Sequence, residues 1–272
     1  MWIDSHCHLD ALGADAPAAA ARAQEKGVSL IVIPAVAKHN FTLVAQLAAS
    51  CAHGVYALGI HPMYVPEASV DDLALLRLQV EAALHLEQGD PRFIAIGEIG
   101  LDFFVPLLKT PELREKQAYF FREQLKIARD FDLPVLLHVR RSQDEVLKHV
   151  RQIRPSGGIA HAFNGSFQQA KAYLDLGFKL GFGGAMTFTR ALQIRRLALE
   201  LPLSALVLET DAPDMAPCWL HPAPNSPEQL PAIGAVLAGL RGIAEETVAQ
   251  ATTANLRSIL PRVEMTLPVL AA

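Results

Sequence analysis

Short apolar runs alternate along the chain with longer segments of helical character. Eight runs read as strands: Trp2–Asp4, Leu30–Val36, Val55–Ile60, Phe93–Ile99, Val135–Val139, Gly158–Ala162, Phe178–Phe182 and Leu203–Glu209. Several are nearly unbroken in Val, Ile and Leu, the pattern of parallel strands buried on both faces. Between them, Ala14–Lys26 is alanine-rich and Asp71–Glu87 carries apolar residues at helical spacing. Thr110-Pro111-Glu112 has the form of a helix start with proline at the first helical position. Such alternation implies a parallel sheet wound by helices. Eight repeats predict an α/β fold of the TIM-type (β/α)8 barrel class, with a doubly wound open sheet as the competing arrangement. Two further helices, Pro227–Leu240 and Glu245–Leu260, are expected to pack on the outside. Residues 1–272 then form one barrel domain with extra C-terminal helices at about 226–260. Pro213, Pro217, Pro222 and Pro224 mark a loop after the eighth strand that is long enough to cover a site.

Length and composition agree with that picture. The 272 residues suit a single barrel of about 250; two smaller domains are the alternative on length alone. With 51% hydrophobic and 19% charged residues, a large core can be filled. A net charge of -4 excludes a broad basic face coating long nucleic acid, but leaves room for a local positive site gripping a few nucleotides. Cys7, Cys51 and Cys218 make no disulfide framework and suit a reducing compartment. Cys7 is expected in the core, facing away from its two histidine neighbours. Trp2 opens the first strand too early for a signal peptide, and no apolar run spans a bilayer. A cytoplasmic protein without membrane contact is expected.

What changes the picture most is where the histidines and carboxylates fall. His6, His61, His138 and His161 sit at the distal ends of predicted strands, with His8 just beyond the first. Glu98 and Asp211 hold similar positions on the fourth and eighth. A barrel gathers all its carboxyl-terminal strand ends at one mouth, where active sites are built. Two residues apart on an extended strand, His6 and His8 face one side and can chelate an ion. Asp4 shares that face, either orienting a ligand histidine or capping the bottom of the site. Glu98 ends an apolar strand, so its carboxylate needs a cation or strong donors. Its two oxygens can serve two metals, or it can pair with an arginine. Asp102 is divided between turn formation, helix capping and a site role. His138 and Arg140 share a face, and a guanidinium there suits an anionic substrate; Arg141 is expected to point elsewhere. His161 closes a strand of small residues. Asp211 can bind a metal and accept a proton, with Glu209 one pleat deeper supporting the site. His61, in Gly59-Ile60-His61-Pro62, is read as substrate-binding or polarising, with a structural strand-end role as the alternative. His39, His53, His85 and His149 are structural or exposed, and His221 is a lid candidate in the proline-rich loop.

Taken together, the motifs resemble those of the TatD-type metal-dependent deoxyribonucleases, within the amidohydrolase-like barrels. The resemblance runs roughly from Ile3 to Asn255 and rests on DSHCHLD at 4–10, GIHP at 59–62, GEIGLD at 97–102, LPVLLHVRR at 133–141, AHAFNGS at 160–166 and LETDAPDM at 208–215. GGAMTFTRA and LETDAPDM further resemble the YjjV-like branch of the family. The resemblance implies a two-metal site, with His6, His8 and Asp211 on one ion, His138 and His161 on the other, and Glu98 bridging. Val139, Ala162 and Asn164 depart from the family pattern without altering a proposed ligand; they bear on the substrate pocket.

The implied activity is hydrolysis of phosphodiesters by a two-metal-activated hydroxide, in line at phosphorus. Asp211 and Glu98 are the catalytic residues, with Asp211 taking or relaying the proton and Arg140 holding the phosphate. The substrate implied is short or single-stranded DNA ends, cut as a 3′–5′ exonuclease, with no obligate protein partner. The fourth strand contains no lysine, which weighs against a carbamate-bridged amidohydrolase. Hydrolysis of a small phosphoester, amide or lactone is the alternative, and a non-catalytic metal-binding interaction protein the remaining one. Four histidines favour zinc or manganese, whereas family nuclease activity implies magnesium.

Overall fold

The computed structural model describes residues 1–85, 87 and 89–264. Eight strands follow in chain order round one sheet: β1 (Trp2–Asp4), β2 (Val28–Pro34), β3 (Gly54–Leu58), β4 (Phe93–Asp102), β5 (Val135–Arg140), β6 (Gly158–Ala160), β7 (Phe178–Phe182) and β8 (Leu206–Leu208). Every neighbouring pair in that order is parallel. Helices α1 (Ala16–Glu25), α2 (Phe41–Ser50), α3 (Val70–Leu84), α4 (Pro111–Asp130), α5 (Gln143–Ile153), α6 (Phe167–Asp175) and α7 (Leu192–Glu200) fill the connections. The seam between β8 and β1 is joined just past the strands. Ser5 N–H donates to the Leu208 carbonyl at 3.0 Å, Asp211 N–H to His6 at 2.8 Å, and His8 N–H to Ala212 at 2.9 Å. The sheet thus curls into a (β/α)8 barrel rather than the open alternative.

Apolar residues sort into two shells because successive side chains on a strand face opposite ways. Ile3, Leu30, Val32, Val55, Ile94, Leu136, Ile159 and Val207 form one cluster. Their strand neighbours, among them Ile31, Ile33, Tyr56, Phe93 and Leu137, pack with helix residues such as Phe41, Leu76, Phe120 and Leu125.

Several boundaries depart from the apolar pattern. Leu203–Ala205 is a 3-10 turn, so β8 begins only at Leu206. Pro202, with its fixed φ, enters that turn, and its carbonyl accepts from Ala205 N–H. β4 runs on to Asp102, beyond the expected Ile99. β1 stops at Asp4, so His6 and His8 lie past the strand, held by the seam bonds. The expected helix Asp71–Glu87 is α3, Val70–Leu84; Leu86 lies outside the described residues.

Two helices follow β8. α8 (Leu230–Arg241) lies on the outside, with the Trp2 indole over Gly234. α9 (Glu245–Ile259) departs from its expected outer position and lies across the amino end of the barrel. The Asn255 amide donates to the carbonyls of Leu203 at 2.8 Å and Leu206 at 2.7 Å. Leu256, Leu260 and Val263 join the inner cluster there. The reason is physical: without a cover, the strand starts would present Ile3, Leu30 and Val55 to water.

Candidate metal centre

Glu98 is the hub of the carboxyl-end mouth, 1% exposed and ringed by imidazoles. Its two oxygens face different groups. Oε2 lies 3.2 Å from His6 Nε2 and 3.3 Å from His8 Nε2. Asp211 Oδ1 stands on this side too, 3.8 Å from His6 Nε2 and 3.7 Å from His8 Nε2. Oε1 lies 2.9 Å from His138 Nδ1, 3.0 Å from His161 Nε2 and 3.5 Å from His61 Nε2. His6 and His161 stack across the divide with ring centroids 4.0 Å apart. All six sequence-predicted ligands therefore meet in one place, and His61 reaches further in than a purely substrate-binding residue would need to.

The backbone is shaped around this hub. Gly59, just past β3, lies against the Gly97–Glu98 backbone, where a Cβ would come within 2.7 Å of the Gly97 carbonyl carbon. Gln124 of α4 accepts from Ile60 N–H at 2.6 Å and donates to the Ile60 carbonyl at 3.1 Å, fixing the chain just before His61. One heptad earlier on α4, buried Gln117 accepts from Asp102 N–H at 2.9 Å. Neither glutamine stands out in the sequence as more than a polar position on a helix.

Asp102 combines two of its expected roles. Oδ1 accepts from Phe104 N–H at 2.7 Å and Val105 N–H at 3.0 Å, closing the turn after β4, and Oδ2 lies 3.1 Å from His138 Nε2. Glu209 accepts from Ala162 N–H at 2.5 Å and stands 3.7 Å from His161 Nδ1. Asp4 does not reach an imidazole. It accepts from Thr210 Oγ1 at 2.6 Å, Thr210 N–H at 2.9 Å and His6 N–H at 3.3 Å, tying the backbones that carry His6 and Asp211. Cys7 is fully buried in the core.

Arg140 stays at the mouth, its side chain 51% exposed, 4.0 Å from Asp102 Oδ2 and 4.0 Å above the Phe104 ring. Arg141 does not point elsewhere: its guanidinium lies 4.7 Å from the same ring. Its backbone is left-handed, with φ 56°, which cancels the expected alternation of side chains. The loop after β8 is exposed at His221, whose ring meets Phe188 edge-on at 5.8 Å.

Burial and mutual charge set the protonation pattern. Burial opposes ionisation of Glu98, but the charges of His61, His161 and His6 and the His138 hydrogen bond hold its carboxyl well below the usual range. Burial pushes the His6 imidazole down to about 3 and that of His61 to about 4. For His8 the Glu98 carboxylate overcomes burial and lifts the imidazole to about 9. Burial raises the Asp211 carboxyl to about 6.

These residues suit divalent cations. His6, His8 and Glu98 form one group of converging ligand atoms, His6, His161 and Asp211 a second, and His61, Glu98 and His138 a third. Neutral imidazoles and carboxylates are a donor set for zinc, manganese or related ions. Among the described residues, buried His6 Nδ1 and His161 Nδ1 have no hydrogen-bond partner.

Comparison with known proteins agrees with this geometry. Residues 3–261 match a family model described as TatD related DNase. The chain is 40% identical over 257 residues to the metal-dependent hydrolase YjjV of Escherichia coli K12, covering 93% of this chain and 95% of that protein. It is 37% identical over 260 residues to a metal-dependent hydrolase of Haemophilus influenzae, covering 93% and 97% of the two chains. The crystal structure of the Escherichia coli YjjV protein superposes with a TM-score of 0.88 at 37% identity, covering 96% of this chain and 98% of that one. A TatD-family hydrolase of Entamoeba histolytica shares the fold, with a TM-score of 0.77 at 18% identity over 95% and 97% of the two chains.

Proposed function

The chain belongs to the TatD related DNase family, and from that premise we propose a metal-dependent hydrolase acting as a deoxyribonuclease, a 3′–5′ exonuclease on single-stranded DNA ends. The observation that carries the reading is the division of Glu98, with His6 and His8 toward one oxygen, Asp211 beside both of those imidazoles, and His61, His138 and His161 toward the other oxygen. His6, His8 and Asp211 would hold one divalent cation and His138 and His161 a second, with Glu98 shared and His61 beside the second group. Cations there supply charge stabilisation for a phosphodiester and lower the pKa of water.

The protein's own groups do the rest. Glu98 stays anionic across the working pH range. Burial lifts the Asp211 carboxyl to about 6 in the metal-free cluster, and its carboxylate is placed beside His6 and His8 to take or relay a proton. Arg140 presents a fork of donors at the mouth to bind phosphate. Asp102 orients His138, and Glu209 supports the strand end bearing His161.

The test is end-labelled single-stranded DNA incubated with purified protein and Mg²⁺ or Mn²⁺. Progressive shortening that disappears in Asp211→Asn supports the nuclease. Cleavage that survives the substitution identifies a contaminant. Turnover of a small phosphoester, amide or lactone with DNA left intact supports the small-molecule alternative, and no turnover of any of them despite bound metal supports the interaction protein.

A further inference from the structure

Phe104 is one of three exposed large aromatic side chains among the described residues, with Tyr64 and Trp219, and all three lie on loops that follow strands at the mouth. Phe104 alone gathers cations. The guanidinium of Arg140 is 4.0 Å from its ring centroid, that of Arg141 4.7 Å, and the Lys109 ammonium 6.0 Å. Arg140 shares Asp102 with His138. Among the described residues, Arg141 and Lys109 make no ion pair with a carboxylate. The left-handed backbone at Arg141, uncommon for a residue with a Cβ, brings a second guanidinium to the ring.

We propose that Phe104, Arg140 and Arg141 form a grip for single-stranded nucleic acid, the guanidiniums taking backbone phosphates and the exposed aromatic side chain offering a surface to a base. This deepens the nuclease reading and rests on it. Chemistry favours such a ligand. Three cations around one exposed ring, in a protein of net charge -4, form a local positive site. Interleaved cations and aromatics are what sequence-tolerant binding of single strands requires. The grip is linked to the hub through Arg140, Asp102, His138 and Glu98, so a bound strand would pass within reach of the metal centre.

The experiment uses metal-loaded protein and a fluorescein-labelled twelve-nucleotide oligothymidylate, with anisotropy read by rapid mixing before turnover. Turnover of bis(4-nitrophenyl) phosphate is measured in parallel. Phe104→Ala is expected to weaken oligonucleotide binding about tenfold. Arg141→Ala is expected to flatten the slope of log affinity against log salt by about 0.7, one phosphate contact on a single strand. Both should impair the oligonucleotide more than the small diester, whereas Lys171→Ala, which removes a remote surface cation, should leave the slope unchanged. Arg141→Ala keeps the test decisive if Phe104→Ala misfolds. Wild type that cuts the oligonucleotide while both variants bind it as tightly overturns the grip alone. Losses equal on both substrates overturn it too, because they would mean damage to the centre. Wild type that turns over the small diester but neither binds nor cuts the oligonucleotide overturns the nuclease reading and the grip together.

Discussion

Asp102 Oδ2 lies 3.1 Å from His138 Nε2, while Nδ1 of the same ring faces Glu98 at 2.9 Å. The imidazole is therefore clamped between two carboxylates, one reaching it from beyond the hub. A carboxylate behind a ligand histidine fixes the ring and raises its basicity, and its loss commonly reduces metal affinity or activity about 10- to 100-fold. Asp102→Asn can keep the oxygen that accepts from Phe104 and Val105, so the turn is preserved while the charge behind His138 is lost. A metal affinity 10- to 100-fold weaker with little change in melting temperature is the expected result. Titration calorimetry and a thermal melt separate the two effects. An unchanged affinity would leave Asp102 with the turn alone.

Gly181 of β7 makes room for Glu209. A Cβ at that position would collide with the Glu209 carboxylate, which is fully buried and pinned by Ala162 N–H. Gly181→Ala should therefore displace the carboxylate from the strand end bearing His161. The expected cost is about 1–3 kcal/mol for a buried hydrogen bond to a charge, with weaker metal binding on the Oε1 side of Glu98. Denaturant titration and metal analysis check this. A variant of wild-type stability and full metal content would show that Glu209 is dispensable there.

The gathering of His6, His138, His161, Glu98 and Asp211 was legible because each follows an apolar run, and parallel strands of a barrel deliver such positions to one mouth. The finer contacts depend on geometry that periodicity does not encode. The pairing of β4 with β5 slips between Ile96 and Ile99, and with that slip both Glu98 and Asp102 of β4 come to lie against His138. Strict alternation along the strand fails at Arg141, where the backbone turns left-handed. Gln117 and Gln124 look like polar helix positions until burial shows them bonded to strand ends. α9 carries an apolar stripe whose partner, the open amino end of the barrel, exists only once the barrel has closed.

A ligand that binds only the folded state stabilises it by mass action, by about 2.7 kcal/mol at a hundredfold excess over Kd. For a chain of this size that raises the melting temperature by roughly 5–10 °C. Chelator-treated protein should recover such a shift on adding Mn²⁺ or Zn²⁺. His6→Ala and His138→Ala, which remove donors from opposite oxygens of Glu98, should each lose part of it. Differential scanning fluorimetry with elemental analysis reads both. Wild type showing no shift and binding no metal from excess would falsify the ligand assignment.

The same cluster sets a pH dependence that differs with and without chelator. Burial disfavours the charged His8 imidazole, but the Glu98 hydrogen bond and charge lift it from 6.5 to about 9, and those of His138 and His161 are raised as well. A histidine raised on folding adds stability that is complete below its unfolded value and is lost as pH rises through its folded value. Burial also pushes the Asp4 carboxyl up from 3.8 to about 7, so folding favours its protonated form, a preference lost between those two values and therefore below most of the His8 interval. Chelated protein should therefore become less stable between pH 6.5 and 9, by on the order of 3 kcal/mol from His8 alone. Metal binding needs neutral imidazoles and releases their protons, so its affinity rises over that interval. The gap between metal-loaded and chelated melting temperatures should widen from pH 6.5 to 9. Paired melts in chelator and in Mn²⁺ under nitrogen measure it. A gap that narrows with pH would mean that His8 is not protonated in the metal-free cluster.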